Sequence, residues 1–181
     1  MKIELLDNPD SFRQKFIDSF LEPKTTFKAE YKEFVEQLKD FDEWYEQSYM
    51  WDKLPCSVPV VKFAKALELL KSFESDVFFM SECKGFRATC HLTVNGDNIE
   101  GFVGKANAHE LADRILKVWY EDSRMTDAED CYLEEFLPFD LYVFDETYKW
   151  FIVFTHETDD CDADAENDWS DNRFCRAYGL I

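Results

Sequence analysis

Between Glu157 and Asp171 the chain carries eight carboxylates and no basic residue, within a protein whose formal net charge is −19. Inside this stretch Asp160, Asp162, Asp164, Glu166, Asp168 and Asp171 fall at the ligand spacing of an EF-hand loop, where oxygens at alternate positions wrap a hard cation. Two departures weaken that reading. Ala165 stands where the loop needs glycine for its sharp turn, and Asp171 replaces the bidentate glutamate that closes the shell. The plainest reading is a solvated acidic loop. The sharper one is a surface that complements a basic groove, since opposed potentials steer encounter and suppress wrong partners. In that reading Glu157, Asp159, Asp160, Asp162, Asp164, Glu166, Asp168, Trp169 and Asp171 contact the partner, and a calcium site would use Asp160, Asp162, Asp164, Glu166 and Asp171.

The charge balance also excludes a function class. Phosphate contacts need Lys and Arg to displace counterions, so direct nucleic-acid binding is not expected of 20 basic against 39 acidic residues. Acidity here does not mean disorder, because 18 Phe, 8 Tyr and 5 Trp supply enough apolar surface for a core. Trp169, Phe174 and Tyr178 lie in or beside the acidic stretch and can anchor an interface. They can equally pack the C-terminal tail onto the fold.

Other chemistry is poorly served. Cys90 and His91 are adjacent, and neighbours on a strand point to opposite faces, so they make no nucleophile and base pair; only a long-range pairing of Cys90 with His156 stays open. Gly101 to Lys105 is too short for a phosphate loop and lacks the hydroxyl residue after lysine. Six cysteines without a C-x-x-C pair, and three histidines at 91, 109 and 156, do not spell a zinc site. The carboxylates of Glu43, Glu46 and Asp52, and of Glu129, Asp130, Glu134 and Glu135, read as solvated faces. No cofactor is implied. Residues 1–9 lack a basic n-region and an apolar h-region, and no window is long enough to span a bilayer, which points to a cytoplasmic protein with reduced thiols.

These side chains must be positioned by a fold of 181 residues, most simply a single domain. Residues 1–72 read as mainly helical: a short helix carrying Phe12, Phe16, Ile17 and Phe20, a long one over 26–50, and a third over 60–72. From 76 to 156 a period near two predicts strands at 77–80, 86–94, 99–103, 141–144 and 150–155, with an inserted helix capped by Asn107. Asn95-Gly96 marks one hairpin and Asp145 to Tyr148 turns another. Residues 157–181 then read as acidic loop and tail. The predicted class is α+β, a mainly antiparallel sheet of about five strands with helices on one face and a helical N-terminal third.

Two segments, Ala108 to Ile115 and Asp140 to Glu146 running into Trp150 to Glu157, give an aspartate-turn-tryptophan hairpin ending in Thr-His-Glu. This resembles the C-terminal part of small acidic bacterial proteins akin to the immunity proteins of polymorphic toxin systems. The likeness covers about a quarter of the chain and transfers no residue role. It implies a cytosolic inhibitor that blocks a toxin; together with the acidic stretch, the leading expectation is a non-enzymatic binding protein that neutralises a basic toxin or nuclease of bacterial or phage origin. The alternatives are a calcium-responsive regulatory domain using 160–171 and an enzyme with an unrecognised site. Calcium titration followed by tryptophan fluorescence separates the first two: a flat trace is expected of the inhibitor, and saturable micromolar binding would establish the sensor.

Overall fold

A computed structural model describes residues 1–21, 50–55, 57–81, 92–122, 135–138, 140–158 and 173–181. Its centre is the hairpin of β8 (Leu141–Phe144) and β9 (Phe151–Thr158), whose side chains from 141 to 144 and from 151 to 155 are all buried. Successive strand residues point to opposite faces, so this hairpin presents two apolar surfaces. Leu141, Val143, Ile152 and Phe154 face one core, and Tyr142, Phe144, Phe151 and Val153 face another.

Around that hairpin a seven-stranded sheet forms in the order β1-β6-β3-β8-β9-β10-β2, with every neighbouring pair antiparallel. Its other strands are β1 (Glu4–Leu5), β2 (Val60–Lys62), β3 (Asp76–Ser81), β6 (Val103–Asn107) and β10 (Arg173–Tyr178). A smaller sheet of β5 (Asp97–Ile99), β4 (Leu92–Val94) and β7 (Glu135–Phe136) adds Leu92 to the first core. Both edges of the large sheet are short strands, which limits edge-to-edge pairing with other chains.

Helices cover both faces. On one side α2 (Phe63–Lys71) and α3 (Ala108–Asp122) bury Phe63, Leu67, Leu70, Leu111, Ile115 and Val118. On the other, α1 (Pro9–Phe20) lays Phe16 and Phe20 over the hairpin. Phe16 is fully buried, and its ring centroid lies 4.9–5.6 Å from those of Phe20, Tyr142, Phe144 and Phe151. Tilted and edge-on aromatic pairs of this kind add about 0.5–1.5 kcal/mol each beyond the area they bury. Arg13, also on α1 and buried, donates from a guanidinium nitrogen to the Ser81 carbonyl at 2.9 Å. The 3-10 turn Met50–Lys53 completes this layer, the Trp51 N–H donating to the Tyr142 hydroxyl at 3.0 Å.

The fold is therefore α+β, but the expected layout is overturned in three respects. The large sheet has seven strands and not five, because residues near both chain termini join it: β1 pairs with β6, and β10 lies between β9 and β2 where a tail was expected. Helices pack on both faces and not one, since a one-sided cover would leave Met80, Tyr142, Phe144 and Phe151 to water. The described helices are spread along the chain and not gathered in an N-terminal third. Residues 60–62 of the expected third helix form β2, in keeping with the β-branched Val60 and Val61. The helix expected over 26–50 lies outside the described residues apart from Met50, as does most of the strand expected over 86–94.

Local signals account for the element ends. Asn107 Oδ1 accepts the backbone N–H groups of His109 at 3.0 Å and Glu110 at 3.3 Å, which makes it the N-cap of α3. The cap of α1 is Asn8, with Pro9 in the first turn, where its missing N–H costs nothing. Asn95 and Gly96, both at positive φ, connect β4 to β5 in a two-residue turn, and the strand expected over 99–103 divides into β5 and β6.

Gly104 on β6 lies under Phe79; a Cβ there would stand 2.5 Å from a ring carbon of that fully buried side chain. Gly104→Ala should destabilise the fold by about 1–3 kcal/mol through overpacking. Phe16→Ala should cost about 3–5 kcal/mol through the cavity it leaves. Urea unfolding checks both, and an unchanged midpoint for Phe16→Ala would contradict the placement of α1.

Candidate functional site

The acidic stretch is rooted in the sheet at both ends. It leaves the end of β9 and returns at the start of β10, where Thr158 and Arg173 are register partners. Residues 159–171 themselves, with Asp159, Asp160, Asp162, Asp164, Glu166, Asp168, Trp169 and Asp171, lie outside the described residues. Glu157 belongs to β9. Of the other two aromatic anchors, Tyr178 stacks on Phe151 at 5.6 Å and meets Phe20 at 5.8 Å, yet keeps 44% of its surface exposed. Phe174 is half-buried opposite Lys62, whose ammonium lies 5.1 Å from the ring centroid. Tyr178 thus serves the core with one face while the other meets solvent.

Most of the remaining sequence candidates lie outside the described residues. Cys90 and His91 lie outside the described residues, and His156 is part of β9. Glu43, Glu46, Glu129, Asp130 and Glu134 also lie outside them; Asp52 falls in the 3-10 turn and Glu135 in β7. Gly104 and Lys105 belong to β6, which gives that glycine a packing role in place of a phosphate loop. Among the described residues no three His, Cys, Asp or Glu side chains gather to hold a metal ion. No helix among them is long and apolar enough to cross a membrane.

The structure does assemble one cleft that the sequence did not indicate, at the end of the sheet opposite the acidic stretch. It has a volume of about 290 Å³ and is lined by Ser75, Asp76 and Phe78 leading into and along β3, by Lys105 of β6, and by the turn 145–147 after β8. Asp76 and Phe78 are two residues apart on β3, and Phe78 is the register partner of Lys105, so all three share the α1 face. Phe12 of α1 meets Phe78 edge-on at 5.4 Å, and no residue of α1 is among those that line the cleft. Lys105 Nζ lies 3.7 Å from an Asp76 carboxylate oxygen, a loose pair with both side chains largely solvated.

The turn that walls this cleft is built around Asp145. One carboxylate oxygen accepts the Thr147 backbone N–H at 2.9 Å and the Thr147 hydroxyl, and the other accepts the Trp150 indole N–H at 2.8 Å. The Trp150 ring stacks on Phe73 at 4.2 Å and is 6% exposed, so a carboxylate in a mobile-looking sequence is tied to the first core. Tyr148 completes the turn at φ 50°, with Lys15 Nζ 4.2 Å from its ring centroid. Burial pushes the Tyr148 phenol above its ordinary value of 10.0, so it stays neutral at physiological pH and is no base there. The Asp-x-Thr spacing before Trp150 is the one sequence signal for this arrangement, as a side-chain-capped turn.

No family model, curated protein or solved structure matches the chain. The resemblance to immunity proteins accordingly stays an expectation resting on the hairpin residues alone. For the turn, Asp145→Asn keeps an oxygen for Thr147 but sets an amide N–H₂ against the indole N–H. A loss of about 1–3 kcal/mol is expected in chemical denaturation, and Trp150→Phe, which removes the donor, should restore part of it in the double variant.

Proposed function

We propose that this protein is a non-enzymatic acidic binding protein that neutralises a basic protein partner, as an immunity protein or inhibitor of a cytosolic toxin or nuclease. The observation that carries this reading is the run of eight carboxylates without a basic residue over 157–171 in a chain of net charge −19. It begins in β9 and is followed two residues after Asp171 by β10, the strand that pairs with β9, so the charge is presented from a folded base and not from a free terminus. The mechanism is occlusion. Carboxylates of the stretch engage Lys and Arg around the partner's active cleft, charge sets the association rate, and apolar contacts such as Trp169 set specificity.

The test is inhibition, read beside capture. Tagged protein incubated with nuclease-treated lysate of its source organism is expected to retain a basic protein in stoichiometric amount at low salt and to release it at high salt. The captured protein's toxic or nuclease activity should be suppressed by the intact chain. A variant with Asp159, Asp160, Asp162 and Asp164 changed to Asn should suppress it at least about tenfold less well, since several charge pairs are lost together. Equal suppression by that variant, or retention of no basic protein, overturns the reading.

A further inference from the structure

We infer that the cleft between β3, β6 and the 145–147 turn is a second recognition point, which receives a single Lys or Arg side chain of a basic polypeptide. The choice of a polypeptide rests on the proposed function, while the choice of a cation rests on the cleft itself.

Its size comes first. At about 290 Å³ it lies at the lower bound for small-molecule pockets, which start near 300 Å³, and it is open to solvent, so it suits one side chain and not a cofactor. Its charge comes second. Its lining holds three acidic residues, Asp76, Asp145 and Glu146, against one basic residue, Lys105, which leaves the cleft net negative. Asp145 receives only neutral donors; Glu146 is exposed and has no ion-pair partner among the described residues.

Its floor comes third. The half-buried Phe78 ring meets Phe12 and Phe144 edge-on and is the aromatic residue among those that line the cleft. An aromatic face beside a carboxylate suits a guanidinium or ammonium carried on an apolar stem, because the ring attracts the cation while the stem covers the ring. Lys105 is a competing cation at the rim, held toward Asp76 by the 3.7 Å pair. The wall is fixed in advance, since Asp145 ties the turn to Trp150 and a ligand need not order it.

The experiment is a titration of the isotope-labelled full chain with Nα-acetyl-argininamide, followed by amide chemical shifts. The neutral isostere Nα-acetyl-citrullinamide serves as control. Saturable shifts are expected at residues 75–78, 105 and 145–147 with the arginine ligand and not with the citrulline one. Glu146→Gln, an exposed change that spares the fold, should weaken binding roughly twofold to fivefold, and Lys105→Gln should strengthen it by a similar factor. Shifts elsewhere, equal response to citrulline, or no saturable shift up to the solubility of the ligand would overturn the inference. None of these results bears on suppression by the 157–171 stretch, so failure of the cleft and failure of the inhibitor reading are read separately.

Discussion

The structure depends on one constraint: β8 and β9 are apolar on both faces. Burying a Phe, Leu or Ile side chain is worth about 1.5–3 kcal/mol, and this hairpin buries residues 141–144 and 151–155 without a break. A sheet with such a centre needs a helical layer on each side, and the chain supplies α1 on one and α2 with α3 on the other. Antiparallel pairing follows from the short β8–β9 connection and is extended outward by β3 and β6 on one flank and by β10 and β2 on the other. Phe16 is the point at which α1 is fixed to the sheet, since four aromatic rings close around it.

The same layering determines where charge can go. Within the described residues the buried charged side chains are few, Arg13 on α1 and Asp140 at the entry to β8 among them. Other described carboxylates fall at strand ends, in turns and on helix exteriors, as with Asp113 of α3, which pairs with Lys71 of α2 at 2.6 Å on the surface. A chain of net charge −19 repels itself when compact. The two regions proposed for recognition belong to opposite ends of the sheet: Thr158 and Arg173, which flank the acidic stretch, pair at one end, and the cleft beside Asp76 and Lys105 lies at the other.

Much of the architecture was legible because it rests on local rules. Asn107 as a helix cap, Asn95-Gly96 as a two-residue turn and the span of β8 all follow from short-range chemistry, and the structure contains each. The apolar spacing of Phe12, Phe16, Ile17 and Phe20 likewise predicted α1. What failed depended on distant partners. Glu4 and Leu5 have no strand signal of their own and become β1 only by pairing with Lys105 and Gly104. Arg173 to Tyr178 read as a tail because the segment follows directly on an acidic run, yet Cys175 and Ala177 are fully buried between β9 and β2.

The sequence by itself determined the sign and density of the surface charge, the local turns and caps, and the two-faced hydrophobicity of the central hairpin, since each is a property of residues close together in the chain. Tertiary structure alone decided that helices cover both faces and that the sheet has seven strands. It also made the cleft, because Asp76, Lys105 and Glu146 belong to different parts of the sheet and only the β3–β6 and β3–β8 registers bring them to one end of it. Strand register is set by the summed burial of both faces, and no short window of sequence contains that sum.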